Sequence, residues 1–145
     1  MKNKIIILVL FCSCLAGYSQ KKVTWETLSH VEYTDKYFPK FEEYFLYPKF
    51  SDSIKVLEDM QIRITGYFIN NDPRGKIFIL SKGPMASCFF CGVGGPETAI
   101  ELQFNFKPTF KTDDLVEVSG FLKLNKEDVE HFNYILIDCK GILVK

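Results

Sequence analysis

The chain has 145 residues, with 18 Lys and Arg against 18 Asp and Glu. Length and a hydrophobic content of 47% are enough for one domain with a packed core. The even charge balance argues against a nucleic-acid or anionic-membrane protein, which normally carries a basic patch.

Residues 1–19 read as a secretory signal. Lys2 and Lys4 form a positive n-region, Ile5 to Phe11 an apolar stretch, and Gly17 and Ser19 the small residues before cleavage between Ser19 and Gln20. The apolar run is too short for a spanning helix, and no later segment is long enough, so no transmembrane segment is expected in the mature chain. Cys14 is the rival feature, as a possible lipid-anchor residue, but Phe11-Cys12-Ser13 is a poor lipobox. Export to the periplasm or surface of a bacterium is expected. Losing Lys2 and Lys4 tips the mature balance slightly acidic. It also leaves three cysteines, Cys88, Cys91 and Cys139, in a compartment where disulfides persist.

Residues 20–60 are expected to form an irregular, short-helical arm. Thr24 is placed to cap a short helix beginning at Trp25. Between Tyr33 and Phe50 stand Tyr33, Tyr37, Phe38, Phe41, Tyr44, Phe45, Tyr47 and Phe50, while Pro39 and Pro48 break any long helix. An arm that seals one side of the domain and an aromatic surface for a partner are both open readings.

Residues 61–145 carry strand signals. Ile62, Ile64 and Phe68 alternate with polar partners around Gly66, and Asn70 to Gly75 is a turn cluster. Lys76 to Ser81 is apolar on both faces. Ala99 to Phe106 alternates, with Ile100, Leu102, Phe104 and Phe106 on one side and Glu101, Gln103 and Asn105 on the other. Leu115 to Leu124 surrounds Gly120, and Tyr134 to Cys139 follows a polar link, Asn125 to Phe132, with room for one helical turn. Five strands with mid-strand glycines predict a mainly β fold, a small five-stranded OB-like barrel. An SH3-like barrel and a sandwich are the alternatives.

The chemically unusual segment is Ser81 to Thr98, which contains Cys88-Phe-Phe-Cys91-Gly92 and Gly94-Gly95-Pro96-Glu97. Three chemistries share its atoms. Cys88 and Cys91 can close a small disulfide ring that pins the loop. They can be half of a metal site, zinc being the natural ion, with His131 as third ligand because strands three and five of an OB barrel run parallel. They can be a redox pair with Cys88 attacking, although no helix pattern follows the second cysteine. Cys139, in phase with Ile135 and Ile137, reads as a core cysteine. Glu97, Glu42-Glu43, Asp113-Asp114 and His30 read as solvated surface. No catalytic signature is present, so no catalytic residue is expected.

Trp25-Glu-Thr-Leu28, Ile62-Arg-Ile-Thr-Gly66-Tyr67, the Gly/Pro/Cys loop and Val116-Glu-Val-Ser-Gly120 together resemble a group of exported bacterial proteins classed as a domain of unknown function with an OB-like fold. The resemblance spans about residues 24–144. It implies the fold and export, and points toward metal handling, zinc especially. Many members carry a cysteine and a proline run in the loop, where this chain has Cys88, Cys91 and Gly94-Gly95-Pro96. The expectation is a non-enzymatic binding module for an envelope protein or small ligand. The rival expectations are a thiol–disulfide redox protein and an interaction module with a structural disulfide.

Overall fold

The computed structural model describes residues 20–70, 77–89 and 92–144. The signal segment with its cleavage site at Ser19, Cys14, the turn cluster from Asn71 onward, Phe90 and Cys91 lie outside the described residues.

The fold is a closed five-stranded barrel with one extra strand. β1 (Lys21–Lys22) is the extra strand and runs parallel to β4 (Gln61–Ile69). From β4 the barrel continues through β5 (Phe78–Ser81), β6 (Ala99–Leu102), β8 (Tyr134–Leu143) and β7 (Leu115–Leu124), and β7 closes back on β4. All barrel pairings are antiparallel except β6 with β8, where Glu101 lies opposite Ile135 and Leu102 opposite Leu136. That order, with its single parallel pair, is the OB-type closure expected from the strand count.

The mid-strand glycines explain how so short a barrel closes. A Cβ on Gly66 would stand 2.7 Å from the carbonyl oxygen of Ser81 and 2.9 Å from Trp25 Cζ2. One on Gly120 would stand 2.7 Å from the carbonyl oxygen of Ile137, where β7 slips register against β8. Both sites need the close backbone approach that only glycine permits.

The inner faces of the strands form one core with Ile62, Ile64, Phe68, Leu80, Ile100, Leu102, Val116, Val118, Leu122 and Leu136. The arm completes it. Val23, Leu28, Phe50, Ile54 and Leu57 belong to the same cluster. Helix α1 (Trp25–Leu28) is capped by Thr24, whose side chain accepts from the Thr27 amide, and helix α2 (Asp52–Lys55) follows the arm's strands. Between the helices the arm is not irregular. β2 (Val31–Phe38) and β3 (Glu43–Phe50) pair antiparallel along their full length. The tyrosines and phenylalanines that frustrate a long helix suit a pleated hairpin, and Pro39 falls in its turn. The aromatic set divides: Phe38 and Phe50 are buried, while Tyr37, Phe41 and Tyr44 are exposed.

Three expected elements differ in extent. β6 ends at Leu102, so Phe104 packs on the core from outside the strand while Phe106 is 87% exposed. β8 runs on past Cys139 to Leu143, pairing with β7 through Leu143 opposite Val116. The link after β7 holds no helical turn. Its first residue, Asn125, organises it instead: the Asn125 side-chain amide donates to the carbonyls of Asp128, His131 and Phe132, and its oxygen accepts from the Asp128 amide. An asparagine that satisfies backbone groups locally competes with helix formation.

Candidate functional site

The cysteine loop starts where β5 ends and returns at β6. Its mouth is held by the Lys82 amide donating to the Thr98 carbonyl at 3.0 Å. A short 3-10 turn, Met85–Ser87, opens it, and the Met85 amide donates to Asp113 Oδ1 at 2.6 Å. Asp113 is exposed, as its sequence context indicated, and also anchors the loop. Gly92 and Gly94, at φ of +76° and +84°, supply the left-handed turns that shape the loop's far side.

The loop folds back over the outer face of β5 and β6. Cys88 is 4% exposed and packs with Ile69, Ile79 and Ala99, with Phe89 and Phe132 at the edge of that second cluster. Its thiol is free, as is that of Cys139. Cys139 lies in the main core, donates to the Leu136 carbonyl, and has its pKa pushed up to about 12 by burial.

Covering that outer face has a consequence for Glu101. Alternation correctly puts Glu101 opposite Ile100 and Leu102, but that face is not open to water. Glu101 is buried at 4% exposure. Its carboxylate accepts from His131 Nδ1 at 2.9 and 3.0 Å, from Gln103 Nε2 at 3.0 Å and from the Phe132 amide at 3.4 Å. A carboxylate only accepts, so Nδ1 carries the proton. The hydrogen bond to Glu101, reinforced by its charge and by Asp128 and Glu130, raises the His131 pKa above the usual 6.5. The parallel β6–β8 pair is what brings residue 131 beside residue 101.

His131 thus borders the same pocket as Phe89 and Pro96 of the cysteine loop. Phe89 and Pro96 from the loop, Tyr44, Phe45 and Leu46 from β3, and residues 126 and 128–133 of the link enclose a pocket of about 480 Å³. The hairpin wall is fastened to the link: Lys36 Nζ donates to both oxygens of Glu127 at 2.8 and 3.0 Å, and the Tyr47 hydroxyl donates to Glu127 Oε1 at 2.7 Å. Lys36 also lies over the Tyr47 ring, 4.1 Å from its centroid.

Of the residues singled out from the sequence, Cys88 and His131 reach the same side of the barrel, and Cys91 lies outside the described residues. Among the described residues no three His, Cys, Asp or Glu side chains gather as a metal-binding group. His30 is exposed and stands apart from the pocket. Glu97 is half-buried, not fully solvated: it folds over Gly95 and its charge acts on Tyr33 and Tyr134. Glu101, Asn125 and Glu127 were not foreseen. Only Glu101 left a trace, as the carboxylate of a strand whose neighbouring loop is long enough to cover it. Among the described residues no helix is long and apolar enough to cross a membrane. No family model matches the chain, and no curated protein matches it.

Proposed function

We propose that the protein is an exported, non-enzymatic binding module, and that its ligand occupies the pocket between the hairpin, the cysteine loop and the 125–133 link. The observation that carries this reading is the pocket itself. Its volume of about 480 Å³ falls in the range of ligand sites, and its wall joins Phe45, Phe89, Val129 and Phe132 to charged groups at the rim. The walls come from three separate segments; Lys36–Glu127 ties the hairpin to the link and His131–Glu101 ties the link to β6, which is how a preformed site is held open. The test is an amide NMR titration of residues 20–145 with indole, phenethylamine and phenylacetate. Binding should move Leu46, Val129 and Phe132 signals and vanish in Val129→Trp, which fills the pocket. Unmoved signals with all three probes, or binding unchanged in Val129→Trp, would remove the reading.

A second reading is favoured by the Glu101–His131 geometry. Metal-ligating imidazoles characteristically donate their second ring N–H to a carboxylate, which leaves the other nitrogen for the ion. In this reading Cys88, Cys91 and His131 hold zinc at the loop end of the pocket. Native mass spectrometry should then show one added zinc ion, absent in Cys88→Ser and His131→Ala. A mass two hydrogens below the reduced value without metal would favour the disulfide-pinned interaction module instead. Thiol–disulfide exchange draws no support from Cys88, because an attacking thiolate needs solvent access and this one is buried.

A further inference from the structure

The pocket runs along a free backbone edge. β3 pairs with β2, from Val31 opposite Phe50 to Phe38 opposite Glu43, and among the described residues with no other strand. In an antiparallel pair, opposed residues alternate between those that exchange both backbone bonds and those whose N–H and C=O point outward. Pro48 has no N–H, so Tyr33 and Pro48 are not an exchanging pair. The alternation then makes Thr34–Tyr47 and Lys36–Phe45 the exchanging pairs. The backbone groups of Tyr44 and Leu46 point outward. Tyr44, Phe45 and Leu46 all line the pocket although successive strand residues face opposite sides, so the strand presents its edge there. Tyr44 and Leu46 are 66% and 52% exposed.

The surroundings select an occupant. Glu101, Asp128 and Glu130 all act on the single imidazole of His131, so even a protonated ring offsets one of three carboxylates. Lys36 is engaged on Glu127, while Lys126 lines the pocket and lies over the Phe50 ring, so the three carboxylates still outnumber the two cations, His131 and Lys126. An acidic rim above an apolar floor, beside unpaired strand groups, matches an extended chain with alternating side chains.

We propose that β3 takes an extended peptide as the third strand of the hairpin sheet, with an apolar side chain in the pocket and a basic one at Asp128 and Glu130. This rests on the pocket reading and names its ligand class. Pro48 ends the pairing, because a proline offers an added strand no donor.

The test screens residues 20–145 against a positional-scanning library of acetylated, amidated hexapeptides, then titrates the selected peptide by amide NMR. Lys or Arg should be selected at one position and a large apolar residue two positions away. Amide exchange of Tyr44 and Leu46 should slow at least about tenfold on binding, an opening free-energy change of about 1.4 kcal/mol or more. N-methylation of one alternate set of peptide amides should abolish binding, and of the other set should not. Leu46→Pro puts at 46 the residue type the chain already carries at 48, two residues along the same edge; it should keep the fold by circular dichroism and lose the peptide. Selection of acidic peptides, indifference to N-methylation of both sets, or peptide binding retained in Leu46→Pro would each overturn strand addition. Binding of indole or phenethylamine with no peptide selected would overturn it while leaving the pocket reading intact, and silence of every probe would overturn both.

Discussion

The hydroxyl of Tyr134 donates to the carbonyl oxygen of Leu28 at 2.7 Å inside the core, tying the start of the last barrel strand to the end of the arm's first helix. The Tyr134 ring also packs 5.4 Å from that of Phe50, the last residue of the hairpin, which lies opposite Val31. Barrel and arm therefore share one core and should unfold together. Tyr134→Phe leaves the buried Leu28 carbonyl without its partner, a loss of about 1–3 kcal/mol. Urea unfolding followed by far-ultraviolet circular dichroism should show one transition at a lower midpoint. Two separate transitions in the wild type would refute the shared core.

Glu101 is buried and accepts from three donors inside the protein, so Glu101→Ala removes all three hydrogen bonds and the charge facing His131. The expected loss is about 1–3 kcal/mol. His131→Gln separates the charge effect. Because the folded pKa of His131 is raised above 6.5, its stabilisation is fully present below about pH 6.5 and is lost as pH rises through the raised value. The wild-type urea midpoint should fall relative to His131→Gln on going from pH 6.5 to pH 9. Parallel curves over that range would show the pair contributes nothing.

Gly66→Ala and Gly120→Ala force a methyl group against backbone carbonyls 2.7 Å away. Each should cost about 1–3 kcal/mol by overpacking. Gly66→Ala should also disturb Trp25, whose indole N–H donates to the Thr65 carbonyl at 2.8 Å, and so shift tryptophan fluorescence. Gly120→Ala should leave the fluorescence unchanged. An unmoved unfolding midpoint in either variant would contradict the close approach.

Cys139 should not react with an aromatic disulfide reagent at pH 8 in the folded protein, since its thiol is buried and its pKa is pushed up to about 12. Denaturant should expose it. Peptide mapping after labelling distinguishes it from the other cysteines, and rapid labelling of Cys139 in native buffer would contradict its place in the core.

Glu127→Gln weakens the tie between hairpin and link, where Lys36 and Tyr47 converge on one carboxylate. The groups are exposed, so the global unfolding midpoint should barely move. Hydrogen exchange of the Phe45 and Tyr47 amides should quicken, and wild type in high salt should approach the variant. Identical exchange in both proteins would show that the tie does not hold the pocket wall.

Period-two alternation and mid-strand glycines were enough to read β4 and β7 nearly to the residue, because those strands bury one face against a core made of their own barrel. The short helix at Trp25 was legible because Thr24 caps it through neighbours in the chain. Those features are local, and local order is what a sequence determines by itself. The hairpin was hidden because aromatic residues between prolines fit several extended or irregular paths until a partner strand selects one. Glu101 was hidden for a related reason. Alternation identified its face but not what covers that face, and the cover is the cysteine loop and the Asn125 turn, distant in sequence and joined only by the parallel β6–β8 pair. Tertiary structure alone decided that the carboxylate is buried against His131, that the hairpin edge lines the pocket, and that Cys88 sits beneath the loop, because each depends on which surfaces exclude water from one another.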